Sequence, residues 1–194
     1  MSLLTTGSPR QIDESVLREY FERLDPLVRS GTELFVIGGA AVALLGAKIR
    51  TTVDVDVAAP YSRVDLANFR EASASAGLPV NPAAGYQGAY VEYVEPLMLT
   101  LPNPDTGGTS IVLFRGFNLT VRTGCPADLI ASKLFRYSEK DVGDIRFLME
   151  SAKVSMTEIK DSVSRLPPRF RDDVLVGENL ANLETDSSMW RLER

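Results

Sequence analysis

The chain has 194 residues, 44% of them hydrophobic and 24% charged, with a formal charge of −5 and no histidine. A chain of this length buries about 70% of its unfolded surface, so a core forms without disulfides or a structural metal. The lack of histidine excludes every mechanism that needs an imidazole base or ligand, and the single cysteine, Cys125, excludes an internal disulfide and a thiolate zinc cage. What remains is chemistry on carboxylates, lysines, arginines, hydroxyls and backbone amides, with a hard cation held by oxygens. A net acidic chain also has no overall attraction for duplex DNA. The longest apolar stretch, Leu34 to Ala47, is shorter than the roughly 20 residues that cross a bilayer, and Met1 to Arg10 has no signal-peptide pattern. The expected setting is the cytoplasm.

In chain order, Ile12, Val16, Tyr20, Leu24 and Leu27 recur at helical spacing and predict an amphipathic helix within Gln11 to Ser30, kinked or ended by Pro26 and closed by Ser30-Gly31. Leu34 to Ile37 is a short apolar strand that stops at Gly38-Gly39, and Ala40 to Leu45 is a short helix closed by Gly46. Thr51 to Ala58 alternates valines with acids, so it is a strand with Val53, Val55 and Val57 on one face and Asp54 and Asp56 on the other. Ser62 caps a helix with Asp65 at its third position, running to Ala76 and ending on Gly77.

Four β-type runs follow, near Ala89 to Val94, Leu97 to Leu101, Ser110 to Phe114 and Asn118 to Arg122, with a turn at Pro102 to Gly108. From Pro126 the pattern is helical: Ala127 to Tyr137, Asp141 to Ser151, Thr157 to Leu166 and, after Pro167-Pro168, Phe170 to Leu183. The expected organisation is an α/β (α+β) core over 1–124 with a mixed sheet flanked by helices. A helical region over 125–183 packs on it, and a loosely held polar tail spans 184–194.

Asp54 and Asp56 put their carboxylates about 6 to 7 Å apart on one strand face. Two such charges repel by roughly 2 to 3 kcal/mol at an effective dielectric near 20, so something must offset them. Divalent cations do so, as in the paired-ion clamps of phosphoryl and nucleotidyl transfer; a solvent-facing acidic edge is the alternative. Gly38-Gly39, between a strand and a helix, lets the backbone approach a phosphate ligand, the alternative being tight strand–helix packing. Lys133 on an amphipathic helix otherwise reads as a solvated side chain, and Asp141 and Asp144 as acids that stabilise a helix start.

Gly38-Gly39-Ala40-Ala41 followed by Arg50-Thr51-Thr52-x-Asp54-x-Asp56 resembles the signature of the DNA polymerase β type nucleotidyltransferase superfamily. Ala127-Asp128-Leu129-Ile130-Ala131-x-Lys133-Leu134 and Lys140-Asp141-Val142-Gly143-Asp144-Ile145 are similar to elements of its minimal, AbiEii-like members, some of which are toxins of toxin–antitoxin systems. The resemblance covers Leu34 to Met149. It implies that Gly38 and Gly39 hold the phosphates of an NTP and that Asp54 and Asp56 bind Mg²⁺ or Mn²⁺. It also implies that Arg50, Lys133, Lys140, Asp141 and Asp144 belong to the nucleotide-binding pocket, which the helical region closes.

Two departures matter. The hydroxyl that often follows the first glycine is missing, and the run Ile111 to Phe114 carries no third carboxylate to serve as metal ligand and base. Glu92 is the candidate for that role if the strand order allows it, with Glu95 second. The expected function is transfer of a nucleotidyl group to a hydroxyl of a protein or RNA, by a protein that pairs with an antitoxin chain or with itself. A catalytically degenerate nucleotidyltransferase fold that binds nucleotide or a protein partner is the alternative. A dinucleotide-binding βαβ unit is a second, disfavoured because the turn is not Gly-x-Gly-x-x-Gly.

Overall fold

The computed structural model describes residues 11–48, 50–104 and 110–192; Met1 to Arg10 and most of the turn expected at Pro102 to Gly108 lie outside them. Contacts group the chain into two compact units, Met1–Pro96 with Val112–Thr123, and Leu97–Ile111 with Gly124–Arg194.

In the first unit, α1 (Glu14–Leu24) begins where the Asp13 carboxylate accepts the Val16 N–H, and it buries Leu17, Tyr20, Phe21 and Leu24. It is shorter than expected. Pro26 forces a single 3-10 turn, Asp25–Leu27, because its ring clashes with the preceding helical turn. Then come β1 (Thr32–Phe35), α2 (Gly38–Leu44), β2 (Asp54–Ala58), α3 (Leu66–Ala76), β3 (Tyr90–Val94), β4 (Ile111–Arg115) and β5 (Leu119–Thr123). Helix α3 starts later than its sequence suggests. Asp65 itself is the N-cap, accepting the Asn68 N–H, while the Ser62 hydroxyl donates to the Ala58 carbonyl and accepts the Phe35 N–H.

Strand order is β1-β5-β4 in one ladder and β2-β3 in another, with β1 parallel to β5 and β2 parallel to β3. β4 and β5 are neighbours joined by residues 116–118, a link so short that they run antiparallel. An antiparallel bridge, Val36 to Val57, joins the two ladders, so the sheet is mixed, as expected. The same bridge overturns the βαβ alternative, which needs β1 and β2 parallel.

Register explains the core. Leu34 pairs with Val121, Val36 with Val57 and Val55 with Val91, and all six are at most 1% exposed. Period two then sends Asp54, Asp56, Tyr90 and Glu92 to the other face.

In the second unit, the run Leu97 to Leu101 is not a strand. Pro96 opens a 3-10 turn, Pro96–Met98, since proline has no N–H to offer a ladder. Helices α4 (Pro126–Lys133), α5 (Glu139–Ala152), α6 (Met156–Ser164), α7 (Pro168–Arg171) and α8 (Val174–Leu192) follow. α4 packs against α5 and α6, and Arg165 donates to the buried Asp128 at 2.7 Å. The helix expected over Phe170 to Leu183 is two helices, broken at Asp172-Asp173. The stretch from Glu184, expected as a loose tail, continues α8: Leu183 and Ser187 are buried, and Tyr137 donates to Asp186 at 2.7 Å. No helix among the described residues is long and apolar enough to cross a membrane.

Candidate metal and nucleotide site

The parallel pairing of β2 with β3 sets Asp54 beside Tyr90 and Asp56 beside Glu92. One carboxylate oxygen from each of Asp54, Asp56 and Glu92 lies within 4.8 Å of the others. Oxygens around an octahedral ion at about 2.1 Å stand about 3 to 4.2 Å apart, so small side-chain rotations would close all three onto one hard cation. Without a cation, carboxylates this close repel by about 3 kcal/mol per pair at an effective dielectric near 20. The donor set therefore fits Mg²⁺ or Mn²⁺ in kind and in spacing. Glu92 is the exposed member, and Asp54 and Asp56 are half-buried.

The glycine turn leans on this cluster. Gly38 has φ +65°, and a Cβ built on it would stand 2.0 Å from Asp56 Oδ2, so no other residue fits there without displacing the acid. A Cβ on Gly39 would stand 2.6 Å from Arg50 Nη2, so the guanidinium of Arg50 lies against the start of α2. The Ile37 N–H donates to the Asp56 carbonyl at 2.9 Å, which locks the end of β1 to the middle of β2.

Two further residues border the cluster. The Thr52 hydroxyl donates to Asp54 Oδ1 at 2.8 Å. Partial burial pushes the Tyr90 phenol above its ordinary pKa, and the charges of Asp54, Glu92 and Asp56 add to the shift. Both were legible in principle, since Thr52 stands two residues before Asp54 and Tyr90 two before Glu92, the strand spacing that shares a face.

Lys133, Lys140, Asp141 and Asp144 belong to the second unit. Lys133 is 6% exposed, and its ammonium donates to Asp144 Oδ2 at 2.7 Å and to Asp141 Oδ1 at 3.4 Å. Arg136 clasps Asp141 with two bonds, at 2.7 and 2.8 Å. Asp141 is also the third residue of a capping box with Ser138, so the helix-start reading holds for it; Asp144 is bonded instead to the lysine. Burial opposes ionisation of Asp141, but Arg136, Ser138 and Lys133 together outweigh it and hold the carboxyl below the usual range. Lys140 is exposed.

No curated protein and no solved structure shows a match to the chain. The family model described as a nucleotidyltransferase of unknown function (DUF6036) matches residues 15–165, a span that includes the glycine turn, the acidic strands and the buried lysine cluster. On a match over most of its length, the chain belongs to this DUF6036 nucleotidyltransferase family.

Proposed function

We propose that the protein transfers a nucleotidyl group from an NTP to a hydroxyl of a protein or RNA acceptor, with Mg²⁺ or Mn²⁺ held by Asp54, Asp56 and Glu92. The observation that carries this reading is the approach of those three carboxylates, against the Gly38 turn, in a chain of the nucleotidyltransferase family. The bound ions would neutralise charge that develops on the phosphorus centre and on the leaving pyrophosphate. Glu92, the most exposed of the three, accepts the proton of the attacking hydroxyl. The missing side chains of Gly38 and Gly39 let Asp56 and Arg50 lie against this turn, so NTP phosphates bound there would meet both the cation and the Arg50 guanidinium, which offsets their charge. The pyrophosphate leaves as the new P–O bond forms to the acceptor oxygen.

In the second unit, Lys133, Asp141 and Asp144 support nucleotide binding as a buried ion cluster that holds the α4–α5 turn, with Lys140 offering exposed charge to an anionic ligand. The ordered elements from Gly38 to Asp144 favour the narrower reading of an AbiEii-like, toxin-type transferase of the cytoplasm, paired with an antitoxin chain or a second copy of itself.

Calorimetric titration with ATP, GTP, CTP and UTP, with and without Mg²⁺, tests the site. At least one nucleotide should bind only with the metal, and Asp54→Asn/Asp56→Asn should abolish it. If no nucleotide binds, the reading gives way to a catalytically degenerate fold that acts as an interaction module.

A further inference from the structure

We propose that Thr52 positions Asp54 for metal binding, a role that rests on the metal-site reading above and extends it to a residue outside the acidic cluster. The Thr52 backbone is held at both polar groups. Its N–H donates to the Ile12 carbonyl at 2.9 Å, and the Ile12 N–H donates to its carbonyl at 2.7 Å, in an antiparallel bridge. Ile12 is 1% exposed and Thr52 9%, so both sit in the packed interior. Next to it, the Thr51 hydroxyl donates to Gln11 Oε1 at 3.1 Å, which ties down the same short segment a second time.

From this fixed backbone the Thr52 hydroxyl reaches Asp54 Oδ1 at 2.8 Å. Its Oγ1 would stand 3.3 Å from a Cβ on Gly39, so the hydroxyl lies between the glycine turn and the first acid of β2. Threonine suits this place because its branched Cβ restricts χ1, and a hydroxyl aimed by a stiff torsion holds its acceptor in one orientation. The need is electrostatic. Three carboxylates within 4.8 Å repel, and the simplest relief in the absence of a cation is for one of them to rotate away. A hydrogen bond to one oxygen of Asp54 opposes that rotation and keeps the carboxylate near the geometry a cation requires. Ligating carboxylates are generally oriented in this way by a donor behind them.

The test uses Mn²⁺ as the probe, titrated by electron paramagnetic resonance into the wild-type chain, Thr52→Val, Thr52→Ser and Asp54→Asn, with thermal melting of each. Thr52→Val keeps the shape and the two backbone bonds to Ile12 but removes the donor, so Mn²⁺ affinity should fall about tenfold or more with Tm nearly unchanged. Thr52→Ser, which restores the donor, should bind close to the wild type. If Thr52→Val melts early, Thr52→Ala and Thr52→Ser serve as the comparison. The proposal is overturned if the variants without the hydroxyl bind Mn²⁺ as the wild type does while Asp54→Asn does not; the metal site then stands and Thr52 has no part in it. Wild-type protein that binds no Mn²⁺, or binds it equally well as Asp54→Asn, overturns the metal-site reading and this proposal with it.

Discussion

Gly38 shows how narrowly a single residue can be determined. Its φ of +65° lies in the left-handed region, and its missing side chain leaves the space that Asp56 occupies. Gly38→Ala should therefore lose about 1 to 2 kcal/mol of stability to backbone strain alone, read by urea denaturation. The added methyl would also push Asp56 from its place, so Mn²⁺ affinity should fall along with stability. At this scale the sequence was informative for Asp54 and Asp56, since alternation along one strand depends only on neighbouring residues. It could offer Glu92 only as a candidate, because the partner of a carboxylate across a ladder depends on which distant segment pairs with it.

At the scale of elements, Asp25 ties the end of α1 to the β4–β5 turn. Its carboxylate accepts the N–H groups of Phe117, Asn118 and Leu119 at 2.8 to 2.9 Å. Gly116 allows the approach, since a Cβ there would stand 2.3 Å from Asp25 Oδ1. Asp25→Ala should cost about 1 to 3 kcal/mol through the stranded donors, with the Leu119 and Asn118 amides losing protection in hydrogen exchange. Desolvation works against the Asp25 charge, yet the three N–H donors prevail and hold its pKa below the ordinary value. A depressed folded-state pKa contributes stability above the unfolded value of about 3.9, and this is lost as pH falls through the folded value. Asp141 has the same sign, so acid melts of Asp25→Asn and Asp141→Asn should each lose part of the wild type's stability gain between about pH 2 and 5. Asp141→Asn should also be the more damaging at neutral pH, because it breaks the two-bond clasp of Arg136 and leaves buried Lys133 to Asp144 alone. Capping residues and prolines made most helices readable in outline. The turn at Pro96 and the break at Asp172-Asp173 lie beside apolar residues that stay exposed, Leu97, Met98 and Val174, so their pattern does not reflect a buried face. The extent of α8 depends on the burial of Leu183 and Ser187 by residues distant in the chain, which local pattern does not encode.

For the whole molecule, the metal site proposed at the acidic cluster would couple stability to metal. Bound cation stabilises only the folded state, so Tm should rise with added Mg²⁺ in the wild type and stay flat in Asp54→Asn/Asp56→Asn. Removing one of three mutually repelling charges has the opposite consequence without metal: Glu92→Gln in chelator should melt at or above the wild type, and gain less on adding Mg²⁺. A Glu92→Gln protein less stable than wild type in chelator would mean that the carboxylates are already satisfied within the protein and that no cation is called for.

By itself, the sequence determined the chemistry open to this protein and the local geometry of its acidic strand. The absence of histidine, the glycine pair and the period-two spacing of Asp54 and Asp56 are properties of composition or of adjacent residues, and no fold is needed to read them. Only the tertiary structure decided that β3 lies parallel beside β2, bringing Glu92 to Asp56, and that Gly38 abuts Asp56. It also decided that Thr52 is clamped by Ile12 and that Lys133 is buried between two acids rather than solvated. Those facts depend on contacts between segments far apart in the chain, and such contacts form because the valine faces of the strands must be buried together; no local pattern encodes which segment will meet which.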